Sequence, residues 1–209
     1  MPAQSITGLI RDFKTKPIAR FQGALYDNIH KHQIPDASEW HILIERRLSG
    51  FGLLNPTADD FCSNVRTVLH SIPAKQRQGL SLMFVKTIVN SWCTSYRYHE
   101  SVRLPCIFGC EGCQDTLEHY LTCDIIWTAA CSALHLDTGW LNLLFPQRLG
   151  YPCPNNTHII LNAVMFETYH CLRSDFSNMI NLSVADNDFS DIYSRTFFLA
   201  AHFASEIAL

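Results

Sequence analysis

Apolar residues recur at helical spacing along most of the chain. Trp40, Leu43, Ile44 and Leu48 fall at i, i+3, i+4 and i+8 behind a possible cap at Ser38, and Gly50 and Gly52 end the pattern. A second stripe, Phe61, Val65, Val68 and Leu69, follows the box-like opening Thr57-Ala58-Asp59-Asp60 and stops at Pro73. A third runs from Ala74 through Leu80, Met83, Phe84, Ile88 and Trp92, with Lys75, Arg77 and Lys86 mostly off it. Residues 1–37 read as a weak helical lead broken near Pro17, with a turn at Ile34-Pro35-Asp36. After Cys123 a helix through Ile126, Trp127, Ala130 and Leu134 is expected, broken by Asp137-Thr138-Gly139. Gly150 to Asn156, rich in Gly, Pro and Asn, reads as a linker. Two more helices come after it, about His158 to Arg173 and about Asp188 to Glu206, the latter capped by Asn187 or Asp188. No strand-period segment stands out, so the expected fold class is mainly α.

The stretch from Pro105 to Asp124 breaks this pattern, because it holds four of the nine cysteines and one histidine. His119 and Cys123, with three residues between them, fall on one face of a helix, where they can grip one ion. Asp115 followed by Glu118 has the form of a capping box opening that helix. Cys106 and Cys110 flank a turn containing Gly109, which lets two thiolates converge on a metal about 2.3 Å away. Tetrahedral zinc takes a Cys3His set well, and either Cys106/Cys110 or Cys110/Cys113 could supply the knuckle. The reading preferred is Cys106, Cys110, His119 and Cys123, with Cys113 as a spare thiol. A buried cysteine serving only as a small hydrophobe has no reason to recur at this spacing. Seven other histidines, His30, His32, His41, His70, His158, His170 and His202, lack partners at ligand spacing.

The run NSWCTSYRYHESVRLPCIFGC, continued by DTLEHYLTCDIIW, resembles the cysteine/histidine segment that follows the reverse transcriptase thumb in non-LTR retrotransposon polyproteins. The matching elements are Trp92 to Arg97, Cys106 and Cys110, Leu117 to His119, and Cys123 with Trp127. Many family members place four residues between the histidine and the last cysteine, and this chain places three. The resemblance covers about Ser91 to Trp127, with a helical lead-in from Pro73. It implies contact with RNA or target DNA near a primer site, with the zinc ion holding the knuckle rigid.

Charge adds one qualification. Residues 41–105 hold eight Lys/Arg against four Asp/Glu, whereas residues 106–209 hold three against eleven. A basic stretch leading into the knuckle suits contact with phosphates, though a solvated helix face explains it equally well. Tyr96, Arg97, Tyr98, His99 and Arg103 alternate aromatic and basic groups there, as stacking on unpaired bases requires. The competing reading packs Tyr96 and Tyr98 beneath the zinc site and leaves the arginines in water. Lys86, Arg97 and Arg103 are the candidate phosphate contacts.

No catalytic residues are expected. Asp59 and Asp60 resemble the paired aspartates of a polymerase turn, but Asn55-Pro56-Thr57 precedes them and no partner strand is visible, so helix capping accounts for them better. The expected architecture is a helical domain with a small Cys3His zinc knuckle inserted between helices. It divides into a lead-in over 1–104, the knuckle and following helix over 105–136, and a C-terminal helical segment over 137–209. Apolar residues at 47% and charged residues at 17% describe a globular chain. No apolar run is long enough to span a bilayer, and Met1 to Phe21 lacks the apolar core of a secretory signal. An intracellular setting, nuclear or cytoplasmic, is therefore expected, where the cysteines are thiols or metal ligands. The expected function is a non-enzymatic, nucleic-acid-associated zinc module. The alternative is a zinc-stabilised structural or protein-interaction domain left by a degenerate element, which the acidic final hundred residues favour.

Overall fold

The computed structural model describes residues 37–51, 53, 58–98 and 103–208. The chain divides into two units, 1–40 and 41–209, and nearly all the described residues belong to the second. The expected lead over residues 1–36, the opening at Thr57 and the ring of His99 lie outside the described residues, as do the side chains of Trp40, His41, Leu43 and Asp59.

The described residues are mainly helical, with no strand among them. In chain order the helices are α1 (Ala37–Gly50), α2 (Ala58–Ser71), α3 (Ala74–Ile88), α4 (Leu117–Tyr120), α5 (Asp124–Ala133), α6 (Phe145–Arg148), α7 (Asn156–Asp175), α8 (Ser177–Asp186) and α9 (Ser190–Ala208). A 3-10 turn, Thr138–Asn142, lies between α5 and α6.

Helix α7 is the axis of the second unit. Its residues from Leu161 to Phe166 are all buried, as are Ile159, Thr168, Tyr169 and Leu172, because helices cover it on several sides. Two apolar clusters meet along it. Leu48, Phe61, Val65, Leu80, Phe84 and Ile88 from α1 to α3 pack on Ile159 and Ala163. Trp92, Phe108, Tyr120, Trp127, Leu199 and Ala200 pack with Val164 and Tyr169, so residues 105–136 and the helices after them share one core.

Three differences from the sequence reading have local causes. Helix α3 stops at Ile88 instead of reaching Trp92. Asn90 takes the left-handed conformation (φ 54°), and the Ser91 N–H reaches back to the Lys86 carbonyl at 2.7 Å, closing a Schellman motif with Asn90 on Thr87. Helix α8, not anticipated, fills the space between the two expected C-terminal helices and buries Ile180 and Ser183. The supposed linker is a packed turn. Gly150 is buried at φ 79°, and a Cβ there would come within 2.8 Å of Pro154. Asn155 caps α7 by accepting the His158 N–H at 3.1 Å.

Candidate metal centre

The knuckle is a small hairpin. Pro105 and Gln114 form an antiparallel bridge, the Cys106 N–H donates to the Cys113 carbonyl at 2.9 Å, and the Asp115 N–H donates to the Leu104 carbonyl at 3.1 Å. Two turns form its tip, closed by Gly109 N–H on the Cys106 carbonyl (3.0 Å) and Cys113 N–H on the Cys110 carbonyl (3.4 Å). Each turn needs a positive φ, which Gly109 (83°) and Gly112 (68°) supply. Gly109 also lies against the Phe189 ring, where a Cβ would approach within 2.6 Å. The turn thus seats the hairpin on the chain just ahead of α9.

The second ligand pair arrives by a different route from the one expected. Thr116, not Asp115, caps α4, its hydroxyl accepting the His119 N–H at 3.2 Å. The helix then ends after one turn, where Thr122 bonds the His119 carbonyl through both its N–H (2.8 Å) and its hydroxyl (2.9 Å). Cys123 is extended (φ −67°, ψ 113°) and occupies the cap position of α5. His119 and Cys123 therefore lie on two elements joined by a break, and the break turns the thiol toward the imidazole. Arg148, itself buried, fixes this junction. Its guanidinium donates to the carbonyls of Leu121, Leu141 and Leu143 and stacks on Trp127 at 4.7 Å.

Ligand atoms of Cys106, Cys110, His119 and Cys123 all lie within 4.8 Å of one another, and Cys113 is outside this group. Four donors around a metal at about 2.3 Å would be separated by roughly 3.8 Å, so the cluster needs only a small contraction to close. Two properties of the unligated residues fit an ion. The His119 Nε2 is buried without a hydrogen-bond partner, an arrangement that costs free energy unless something occupies that lone pair or proton. The thiols also compete for charge. A hydrogen bond from Cys106, assisted by His119, pulls Cys123 down to about 4. Its bond to Cys123, then burial, pushes Cys106 far up. Burial and the Cys123 charge push Cys110 up to about 12. A divalent cation would remove that conflict and allow three thiolates at once.

Asp115 does other work. Fully buried, it accepts the Ser95 N–H at 2.6 Å, the Tyr120 hydroxyl at 2.6 Å and the Tyr169 hydroxyl at 2.8 Å. Burial, reinforced by the carboxylate, holds both phenols well above their ordinary range, so they stay protonated donors. Trp92 stacks on Tyr120 (5.9 Å, 18°) and leans on Tyr169 (5.0 Å). One carboxylate thus ties the segment before the hairpin, the ligand helix and α7 together.

Comparison with models of known families, with curated proteins and with solved structures gives no match.

The candidate phosphate contacts precede the hairpin in the chain. Arg97 and Arg103 are exposed, and Arg103 lies over the Tyr96 ring at 4.4 Å. Tyr96 and Tyr98 are exposed too, at 45% and 58%, so neither ring packs beneath the Cys/His cluster. Lys86 is half-buried in the last turn of α3, its ammonium 5.0 Å from the Phe166 ring. From there contacts continue through His170 on Phe166 (5.3 Å) to Cys93 on His170 (3.2 Å) and Tyr98 on Cys93 (3.4 Å). Sequence reasoning gave Asp115 only a local capping role and did not pair Cys93 with His170, whose contact spans 77 positions of the chain.

Proposed function

We propose that this chain is a zinc-stapled helical module that associates with single-stranded nucleic acid and performs no chemistry at its metal. The observation that carries the first half is the convergence of three thiols and one imidazole within 4.8 Å. Such a soft, four-donor set suits zinc, and four protein ligands leave no position for activated water. Cys106, Cys110, His119 and Cys123 would hold the ion, whose role is to lock the hairpin against α4 and α5. An intracellular setting, nuclear or cytoplasmic, would keep these thiols reduced.

The nucleic-acid half is supported by the exposed Tyr96/Arg103 stack, with Arg97 and Tyr98 beside it in sequence. Exposed rings are available to stack on bases, and the cations to meet phosphates. The resemblance to the segment behind a retrotransposon reverse transcriptase thumb points the same way. Titrating the zinc-loaded protein against a labelled single-stranded RNA at 50 and 200 mM salt tests it. With Lys86, Arg97 and Arg103 each meeting one phosphate, the log–log salt slope is about −2 and affinity falls roughly twentyfold. Arg97→Ala and Arg103→Ala should each flatten the slope by about 0.7. No binding at 50 mM, or binding indifferent to salt, would refute this half.

A second reading, a structural or protein-interaction domain, has its own support. Leu182, Tyr193, Phe197 and Phe198 on α8 and α9 are exposed, in a part of the chain with eleven acids against three bases. Failure of the RNA titration with the metal site intact would favour it.

A further inference from the structure

Cys93 and His170 lie 77 positions apart in the chain, yet Sγ and Nε2 are 3.2 Å from each other. Both are held by rigid surroundings. Cys93 follows the Schellman end of α3, its carbonyl accepts the Tyr169 hydroxyl at 3.2 Å, and the adjacent Trp92 ring donates to the Thr87 hydroxyl at 3.0 Å. His170 projects from the buried axis α7, with its ring against Phe166. The Tyr98 hydroxyl also lies against the sulfur, at 3.4 Å. Its bond to Cys93 raises Tyr98 above its ordinary range, so the phenol beside the sulfur keeps its proton. The pair is not enclosed, since Cys93 and His170 are half-buried and Tyr98 is exposed.

A thiol with an imidazole nitrogen at hydrogen-bond distance and a protonated phenol beside it is the arrangement that generates a nucleophilic sulfur. None of these groups belongs to the Cys106/Cys110/His119/Cys123 cluster. We propose that Cys93 is a His170-activated thiol, a modification site that reacts with soft carbon electrophiles. With iodoacetamide as the electrophile, sulfur forms a bond to the methylene carbon, the carbon–iodine bond breaks and iodide leaves. The thiol proton passes to His170 Nε2 and from there to solvent. Tyr98 steadies the sulfur while it carries negative charge.

The molecule contains its own standards. Cys153 is an exposed thiol near the neutral amide of Asn64, and Cys131 is a buried one. The test is timed alkylation of the full zinc-loaded chain with iodoacetamide at pH 7, read residue by residue by peptide mass spectrometry. Exposure alone would make Cys153 the faster. Activation by His170 reverses the order, with Cys93 about tenfold ahead or more. A wild-type ratio at or below one overturns the proposal without recourse to any variant. In His170→Gln, with Cys131 still protected, the Cys93 rate should fall at least about tenfold while the Cys153 rate holds. An unchanged Cys93 rate in that variant would also overturn it.

Discussion

Replacing Asp115 by asparagine distinguishes two roles for that residue by magnitude. As an exposed helix cap, the role its sequence position invites, the change would cost only a few tenths of a kcal/mol, because asparagine caps as well as aspartate. In the structure the carboxylate accepts three hydrogen bonds and is fully buried. The best orientation of the asparagine keeps its oxygen toward Tyr120 and Tyr169 and turns its NH2 against the Ser95 N–H. That leaves a buried donor unmet, costing about 1–3 kcal/mol, and weakens two charge-assisted bonds by about 1 kcal/mol each. Relief from burying a charge offsets part of this, leaving a net loss of about 2–4 kcal/mol. For a unit of this size the midpoint should fall by roughly 5–15 °C. Urea unfolding, followed by near-ultraviolet circular dichroism of the Trp92, Tyr120 and Tyr169 rings, measures the free-energy loss, and a thermal scan measures the midpoint. A loss below about 0.5 kcal/mol would refute the reasoning. So would strict additivity of Asp115→Asn with Tyr169→Phe, since directly bonded partners couple.

Two glycines at the hairpin tip should behave differently. Gly109→Ala combines a left-handed φ with a clash against the Phe189 ring and should cost about 2–4 kcal/mol, with weakened metal retention. Gly112→Ala has the same backbone strain but open space, and should cost about 1 kcal/mol. Equal losses in thermal unfolding would contradict the docking of the hairpin on Phe189. Burial lowers the folded-state value of His158. Its contribution to stability is therefore present above its unfolded value of about 6.5 and is lost as pH falls through the folded one. His158→Gln, which keeps a hydrogen-bonding group for the α7 cap, should flatten the fall in melting temperature between pH 7 and 5. A slope equal to the wild type's would count against it.

What the sequence disclosed was what short-range rules govern. The stripes of α2 and α3 follow from period 3.6 alone, and the candidate ligand cluster follows from residues within eighteen positions of one another. Asp115 was misread because a capping box is a local pattern, whereas the residue's role is set partly by Tyr169, 54 positions away. The pairing of Cys93 with His170 was invisible for the same reason. Periodicity also could not show that Thr122 ends the ligand helix, since a hydroxyl turning back on the His119 carbonyl leaves the apolar pattern intact. Gly150 to Asn156 has the composition of a linker, and only the burial of Gly150 and Pro154 shows it to be a packed turn.

The central claim is the closed four-ligand cage, and metal content per chain tests it most directly. Protein purified under reducing conditions should carry one zinc ion per chain, and Cys113→Ser should retain it. Cys106→Ser, Cys110→Ser, Cys123→Ser and His119→Ala should each lose most of it after mild chelation. A wild-type chain that binds no zinc, or a Cys113→Ser variant that loses the metal while Cys106→Ser keeps it, would contradict the account.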